Sequence, residues 1–425
     1  MKRDKLLAFF LLYWILYSGL IRIFLFKNEI FTIIPDCILL YLSIKVYKRY
    51  KRPEISKYIY SCIPILCTIF LIIGTISMLI NGCFIIPYFW NIRFYLRALL
   101  VFYIIWQVMT IKDCWKYRKI MYHAFIPNFI FCIIENYTGK SGDALGGLFG
   151  GGNMEMVLYL MLIIFFATAD YYNKLLSRLK FISIMTISLL LSFWGEIKLL
   201  YIVIPLFWYI GNILFNKFRF KQIATLIIGL FLFIPIMQFF LSFFYNETYV
   251  ESIFTLEKTK AYTNESSFIV GQEDGMNRSS SIKMTNELIL KDIPHLLSGY
   301  GIGASSTSQI FRSPIGSQYL KTYFFLFTPS YIMTETGWLG LILYLSIYLL
   351  LLCTFLRYYK YRDPVLKYWS SLGILCILII FILIWYNITP ILIFLIVYYF
   401  LAFCLVGIRD RINTLRKLSE QKLLG

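Results

Sequence analysis

Residues 59–80 read IYSCIPILCTIFLIIGTISMLI, and this run contains no charged side chain. A helix needs about 20 consecutive apolar residues to cross the hydrocarbon core of a bilayer. The run therefore predicts a membrane-spanning helix. A scan of the chain for similar runs predicts twelve spans, at 6–26, 30–47, 59–80, 94–111, 119–136, 154–173, 179–195, 198–215, 222–244, 334–356, 368–387 and 390–408.

The composition of the whole chain agrees with many spans. Of the 425 residues, 60% are hydrophobic and only 15% are charged, whereas a soluble domain averages about 25% charged residues. A folded chain of this length cannot bury so much apolar surface against itself, which excludes a soluble globular enzyme and a disordered chain. The apolar runs are continuous rather than alternating, which favours helices over a barrel. We therefore predict an all-α polytopic membrane protein with about twelve transmembrane helices.

The distribution of basic residues predicts the orientation of these helices. The net charge is +19, and most of the 41 Lys and Arg residues fall in alternate connecting segments, as cytoplasmic segments require. Both termini are then cytoplasmic, and one long extracytoplasmic loop joins helices 9 and 10. The predicted parts are helices 1–9 at 1–244, the loop at 245–322, and helices 10–12 with a cytoplasmic tail at 323–425. Anionic membrane lipid, rather than nucleic acid, is the partner that this charge pattern indicates.

Several charged residues lie at the ends of spans that face outward. Arg93 and Arg97 are one helical turn apart, and Glu155 and Glu335 each lie near the start of a span. Charges inside a membrane are costly, so a functional role is the default hypothesis, although one such residue alone could extend to the interface. As a set, the outward basic residues predict an anionic ligand outside the membrane, since Arg suits phosphate groups. They are Arg93, Arg97, Lys198, Arg278 and Arg312.

The sequence does not indicate a cofactor. It contains no HExxH or DxD motif and no cluster of Cys and His, so a metal held by the protein is not predicted. The turn Gly299-Tyr-Gly301-Ile-Gly303 resembles a phosphate-binding loop, but no strand precedes it and no Lys follows it directly. A nucleotide site is therefore not expected.

The most specific stretch runs from Arg278 to Leu341. Arg278 precedes a predicted amphipathic helix at 279–297, the turn Gly299-Tyr-Gly301-Ile-Gly303 and, at the start of a span, Glu335-Thr-Gly337-Trp-Leu-Gly340-Leu. This order resembles the O-antigen polymerase (Wzy) and O-antigen ligase superfamily. The glycine-rich segment 146–153 before a span, and Glu196-Ile-Lys198 between two spans, are similar to that family as well.

The resemblance implies a glycosyltransferase of the GT-C type that uses no metal or other cofactor. Its substrate would be an undecaprenyl-diphosphate-linked oligosaccharide at the outer face of a bacterial inner (plasma) membrane. A polymerase would transfer the growing glycan from its lipid diphosphate onto a lipid-linked repeat unit, in the synthesis of O-antigen for lipopolysaccharide or of capsule. By analogy with the family, a separate chain-length regulator would be a further partner.

The same resemblance suggests roles for particular residues. The leaving diphosphate is strongly negative, so Arg278, together with Arg93, Arg97 and Lys198, would stabilise it. The acceptor hydroxyl needs a base, for which Glu335 and Glu196 are the available carboxylates. The remaining expected substrate-binding residues are Gly299, Gly301, Gly303 and Tyr331.

Two other functions remain open. A lipid-linked oligosaccharide flippase would also have about twelve spans, but it predicts internal repeats, and the sequence contains none. Ligase-type members of the superfamily carry a His-Asn pair before the ExGxxGL segment, where this chain has Thr328 to Tyr331. We also expect residues 320–333 to lie at the membrane interface or to re-enter the bundle.

Overall fold

A computed structural model describes most of the chain, and its regular secondary structure is helical. The described residues are 2–24, 33–49, 57–83, 85–140, 142–150, 152–216, 238–239, 242, 276–306, 311–386 and 395–424. The first helices in chain order are α1 (Lys2–Leu16), α2 (Ser18–Phe24), α3 (Ile34–Arg49), α4 (Lys57–Ile80), α5 (Ile85–Val108), α6 (Ile111–Tyr137), α7 (Asn153–Tyr172), α8 (Arg178–Trp194) and α9 (Lys198–Phe215). Short helices α10 (Ser281–Met284), α11 (Ile293–Ser298) and α12 (Pro314–Gln318) come next, before α13 (Thr328–Tyr359), α14 (Pro364–Tyr386) and α15 (Ile396–Leu424).

The helical class predicted from the apolar runs is confirmed. Five described helices are long and apolar enough to cross a membrane: Cys62–Ile80, Ile85–Val108, Asn153–Tyr172, Thr328–Tyr359 and Pro364–Tyr386. These helices fit a membrane protein with several spans, whereas the total of twelve stays a prediction. The predicted span at 222–244 lies outside the described residues except at 238, 239 and 242, as does the first part of the predicted loop, 245–275.

Some boundaries differ from those predicted. The predicted span at 6–26 is divided into α1 and α2, and near the division the N–H of Gly19 donates to the carbonyl of Leu148 at 2.9 Å, outside its own helix. Helix α13 begins at Thr328 instead of residue 334, and it is kinked at Gly337, where φ is 63°. From the sequence, residues 320–333 are expected at the interface or re-entering the bundle; 320–322 and 324–326 form short 3₁₀ turns, and 328–333 belong to the start of α13.

The predicted amphipathic helix at 279–297 is wrong as a continuous element. The segment folds as α10, a short π-helix at Thr285–Ile289, and α11. Asp292 caps α11 by accepting a hydrogen bond from the N–H of His295, and Pro294 lies in its first turn. A proline has no N–H to continue a preceding helix and is favoured at a helix start, so the chain restarts here.

Polar contacts gather at the two opposite ends of the helix bundle. At one end, Asp170 on α7 is fully buried and accepts from Arg118 Nε at 2.7 Å and from the hydroxyls of Tyr122 at 2.7 Å and Tyr368 at 2.8 Å. The same end contains the ion pairs Lys45–Asp4, Arg49–Asp4, Lys5–Asp113 and Arg411–Asp363. The other end contains the contacts of Asp36, Glu135 and Glu335 described below. Between the two ends α7 is buried on nearly all sides, which makes it a central helix of the bundle.

Candidate functional site at one end of the bundle

The turn Gly299–Gly303 and the segment Glu335–Gly340 pack against each other. The backbone N–H of Tyr300 donates to the carbonyl of Thr334 at 2.8 Å, and the N–H of Gly301 donates to the carbonyl of Glu335 at 2.9 Å. The non-helical backbone at Gly337 interrupts the helix just beyond these carbonyls. Groups released from the helical ladder at a kink need other partners, and the turn at 299–303 supplies them.

Glycine is required where the two motifs meet. A Cβ on Gly299 would lie 2.5 Å from the backbone nitrogen of Thr336, and a Cβ on Gly337 would lie 2.3 Å from the carbonyl carbon of Leu297. Both glycines also have positive φ, 68° and 63°, in the region that residues with a side chain rarely adopt. The turn and the kink are therefore two halves of one close backbone contact.

Glu335 lies buried beneath this contact. Its side chain has no exposed surface, and its Oε1 accepts from the N–H of Gly303 at 3.0 Å and from Asn91 Nδ2 at 2.5 Å. Its Oε2 accepts from the hydroxyl of Tyr95 at 2.7 Å. Asn91 also donates to the hydroxyl of Tyr331, one turn before Glu335 on α13. The carboxylate thus joins α13, α5 and the glycine turn.

Helix α4 holds the turn from another side. The hydroxyl of Ser77 donates to the carbonyl of Gly299 at 2.5 Å, and the N–H of Ile302 donates to the carbonyl of Gly74 at 3.1 Å. Asn81 Oδ1 lies 2.8 Å from His295 Nε2. Three helices therefore fix the turn in place, which fits a preorganised site better than a mobile loop.

The predicted pair of basic residues lies on a different face of α5. Asp36 on α3 accepts from Arg97 Nη2 at 2.6 Å and from Arg93 Nη1 at 3.1 Å. All three side chains are largely buried, with exposed fractions of 13% for Arg93, 8% for Arg97 and 14% for Asp36. Arg93 also lies over the ring of Trp90, at 3.7 Å from the centroid. Among the residues that the structure describes, two guanidinium groups thus surround one carboxylate, and basic groups outnumber acidic ones in this cluster.

Arg278 lies in another part of the same end. Its Nε donates to the backbone carbonyl of Tyr386 at 3.3 Å, and its guanidinium lies over the Tyr386 ring at 4.3 Å from the centroid. Tyr386 is the last residue of α14 that the structure describes. Arg278 therefore contacts α14, whereas Arg93 and Arg97 contact α3.

Glu196 lies beside the second glycine-rich segment. It occupies the turn between α8 and α9 with φ of 50°, and a Cβ on Gly142 would be only 3.0 Å from its Oε1. The side chain of Lys198, at the start of α9, lies outside the part that the structure describes. The carboxylate of Glu196 is half-buried. Glu196 therefore lies beside Gly142, near the glycine-rich segment 146–153, whereas Glu335 lies beside the turn Gly299–Gly303.

Three further polar residues of this end were not singled out as site residues from the sequence. Glu135 Oε2 accepts from the N–H groups of Gly146 at 3.0 Å and Gly147 at 2.6 Å, so it anchors the second glycine turn. Asn91 and Tyr95 are four residues apart on α5 and lie on one helix face. Polar residues at this spacing, opposite the Arg93 and Arg97 pair, are a signal that could have identified them.

The remaining features of this end concern metal ligands and the loop after the turn. Within the ranges that the structure describes, no group of three or more His, Cys, Asp and Glu side chains could hold a metal ion. Arg312 is exposed, and its neighbour Phe311 packs edge-on against Trp90 with ring centroids 5.9 Å apart. The loop therefore reaches the aromatic ring on which Arg93 lies.

Comparisons with protein-family models, with curated proteins and with solved structures find no match to this chain.

Proposed function

We propose that this protein is a polysaccharide polymerase of O-antigen or capsule type. It transfers a glycan from undecaprenyl diphosphate onto a lipid-linked repeat unit, at the outer face of a bacterial plasma membrane. The observation that carries the proposal is the close contact between the turn Gly299–Gly303 and the segment Glu335–Gly337, beside the basic cluster on α5. These are the motifs on which the family resemblance depends.

The reaction breaks the bond between the anomeric carbon of the donor sugar and the diphosphate oxygen. That oxygen leaves with the electron pair, the anomeric carbon forms a new bond to a hydroxyl of the acceptor, and the proton of that hydroxyl passes to a carboxylate base, for which Glu196 is the candidate. The diphosphate gains negative charge as it leaves, so nearby cations lower the barrier. Arg93 and Arg97 suit this role because they lie together on α5, and Arg278 is the third candidate at the same end of the bundle.

The burial of Glu335 supports a more specific role for it. Each of its oxygens already accepts a hydrogen bond from a buried donor. We assign it a positioning role, in which it holds the glycine turn against α5, while Glu196 is the carboxylate with a partly exposed side chain. Direct action of Glu335 as a base would require these partners to separate.

The orientation in the membrane belongs to the same proposal. Basic residues of α1, α3 and α15 gather at the end opposite the glycine turns. With that end in the cytoplasm, both termini are cytoplasmic and the proposed site faces outward, where glycan carriers are presented. A separate chain-length regulator would then meet the protein on the outer side.

The experiment that tests the function compares surface glycan from a strain lacking this gene. The gene is restored as wild type, as Arg278→Ala, or as Lys283→Ala, and the glycan is resolved on a gel. Lys283 is a matched control because it lies in the same segment, is exposed, and forms only a 3.9 Å ion pair with Glu287. We expect deletion and Arg278→Ala to give single repeat units at normal protein level, while Lys283→Ala restores the ladder.

Other outcomes identify other functions. Accumulation of lipid-linked units on the cytoplasmic side would establish a flippase instead. Accumulation of full-length polymer on its lipid carrier would establish a ligase.

A further inference from the structure

A groove with a volume of about 310 Å³ lies between α4 and α5. Its walls come from residues 63–71 of α4 and 94–103 of α5. Its floor comes from α13 and α15 and includes Tyr344, Tyr348 and Tyr398, all buried.

The lining of the groove is apolar and aromatic. Tyrosine hydroxyls are among its few polar groups, and three of them bond to one another or to the site. The hydroxyl of Tyr348 donates to that of Tyr344 at 3.1 Å, and the hydroxyl of Tyr95 donates to Glu335. The groove therefore offers mainly hydrocarbon and ring surfaces to an occupant. Cavities with such walls accept apolar molecules rather than water.

The groove opens toward the surface that lipid would cover. On its α4 wall, Pro64 and Thr68 are exposed. Both walls belong to helices that are long and apolar enough to span a membrane. Helix α4 packs mainly against α13, and α5 packs against α3 and α15, so the two walls stand apart from each other. A chain dissolved in the bilayer could therefore enter from the side.

One end of the groove is basic. The ring of Phe94, which lines the groove, lies 4.7 Å from the guanidinium carbon of Arg93 and 4.8 Å from that of Arg97. From Phe94 the α5 wall runs to Tyr103, which corresponds to about 14 Å at 1.5 Å per residue. The groove thus combines a cationic end with an apolar channel, a shape complementary to a lipid with an anionic head.

We infer that this groove holds the isoprenoid chain of the lipid-linked substrate, with its diphosphate at Arg93 and Arg97. The identity of the chain rests on the proposed function, because that function brings a polyprenyl diphosphate to this end of the bundle. The groove would then orient the carrier so that its sugar reaches the glycine turn above Glu335, with Tyr95 contacting both places.

The test uses the full-length protein in nanodiscs and a farnesyl diphosphate that carries a photoreactive diazirine on its last isoprene unit. Adducts are mapped by mass spectrometry after irradiation. We expect them on residues 63–71 and 94–103, and we expect excess undecaprenyl phosphate to reduce them about tenfold, equivalent to about 1.4 kcal/mol. An equal excess of phosphatidylglycerol should leave them unchanged.

A variant that fills the groove provides a second measurement. Ala98→Trp adds a ring to a lining position and should reduce the adducts about tenfold. The control is Leu349→Trp, on the exposed side of α13 outside the groove. If Ala98→Trp does not elute as a folded protein, the competition with wild type decides alone.

Three results would overturn the inference. They are adducts that lie elsewhere on the chain, adducts that phosphatidylglycerol removes as well as undecaprenyl phosphate does, and unchanged adducts in a folded Ala98→Trp protein. The glycan gel is independent of this test. If no adduct forms but the glycan ladder depends on the protein, the groove is not the lipid site and the polymerase proposal stands. If the adduct maps to the groove but the ladder does not depend on the protein, the groove binds lipid and the polymerase proposal is wrong.

Discussion

Replacement of Glu335 tests whether its carboxylate positions the site. In Glu335→Ala, three buried donors lose their acceptor: the N–H of Gly303, Nδ2 of Asn91 and the hydroxyl of Tyr95. A buried donor without a partner costs about 1–3 kcal/mol, so three of them cost at least roughly 3 kcal/mol. We expect the Ala variant to unfold at a clearly lower temperature than wild type.

Glu335→Gln provides the matched comparison. The amide oxygen can still accept from Gly303 and Asn91, and the hydroxyl of Tyr95 can rotate to accept from the new NH₂ group. The loss of charge assistance should cost about 1 kcal/mol. We therefore expect the Gln variant to fold and to restore the glycan ladder, although less completely than wild type.

The assay is thermal unfolding of the purified protein in detergent, followed by elution profile, together with the glycan ladder at matched protein level. A Glu335→Ala protein as stable as wild type would refute the positioning role. A Glu335→Gln protein that folds normally but forms no ladder would also refute it, because a carboxylate needed as a base cannot be replaced by an amide.

Three further predictions address other parts of this end. Gly301→Ala would put a Cβ 2.2 Å from the backbone of α4, so thermal unfolding should show a large loss of stability. The control is Gly82→Ala, where φ is also positive but the Cβ would meet nothing within 4 Å, and the expected loss of stability is about 1 kcal/mol. Asp36→Ala removes the shared partner of the two arginines on α5, and unfolding should show a loss of about 3 kcal/mol, which Asp36→Glu partly recovers. Hydrogen bonds from the backbone N–H and ring of His295 lower the pKa of Asp292. This contribution to the stability of α11 is therefore present above the usual carboxyl pKa of about 3.9 and is lost as pH falls below it. Hydrogen exchange should detect the loss as smaller protection factors in α11 at acid pH, after correction for the slower intrinsic exchange there.

The helices could be predicted from the sequence because their signal is local. A continuous apolar run such as 59–80 has few alternatives to a buried helix, and α4 covers it. The break within 279–297 was missed because the apolar residues there have nearly helical spacing, while Asp292 and Pro294, the start signals of α11, received less weight. The capping Asp292 and Pro294 therefore determined where α11 begins, and the helical spacing of the apolar residues did not extend the helix across them.

The site could be predicted only in part, because its contacts join distant parts of the chain. The sequence contains both glycine motifs, but it does not reveal that Gly299 and Gly337 touch, or that Asn91 and Tyr95 meet Glu335 from a helix more than 200 residues away. It indicated the Arg93 and Arg97 pair through their one-turn spacing. Their partner, Asp36, follows from the packing of α3 against α5.

The turn Gly299–Gly303 and the glycine-rich segment 146–153 are held in the same way, each by a buried carboxylate. Glu335 accepts from the N–H of Gly303, and Glu135 accepts from the N–H groups of Gly146 and Gly147. Irregular backbone inside a membrane protein must find internal partners, and a carboxylate can accept several such bonds at once. A carboxylate that accepts backbone hydrogen bonds in this way has a structural role. In the proposed transfer, catalysis would therefore depend mainly on cations that stabilise the leaving diphosphate. We expect loss of Arg93 or Arg97 to impair the ladder more than loss of a partly exposed carboxylate such as Glu196.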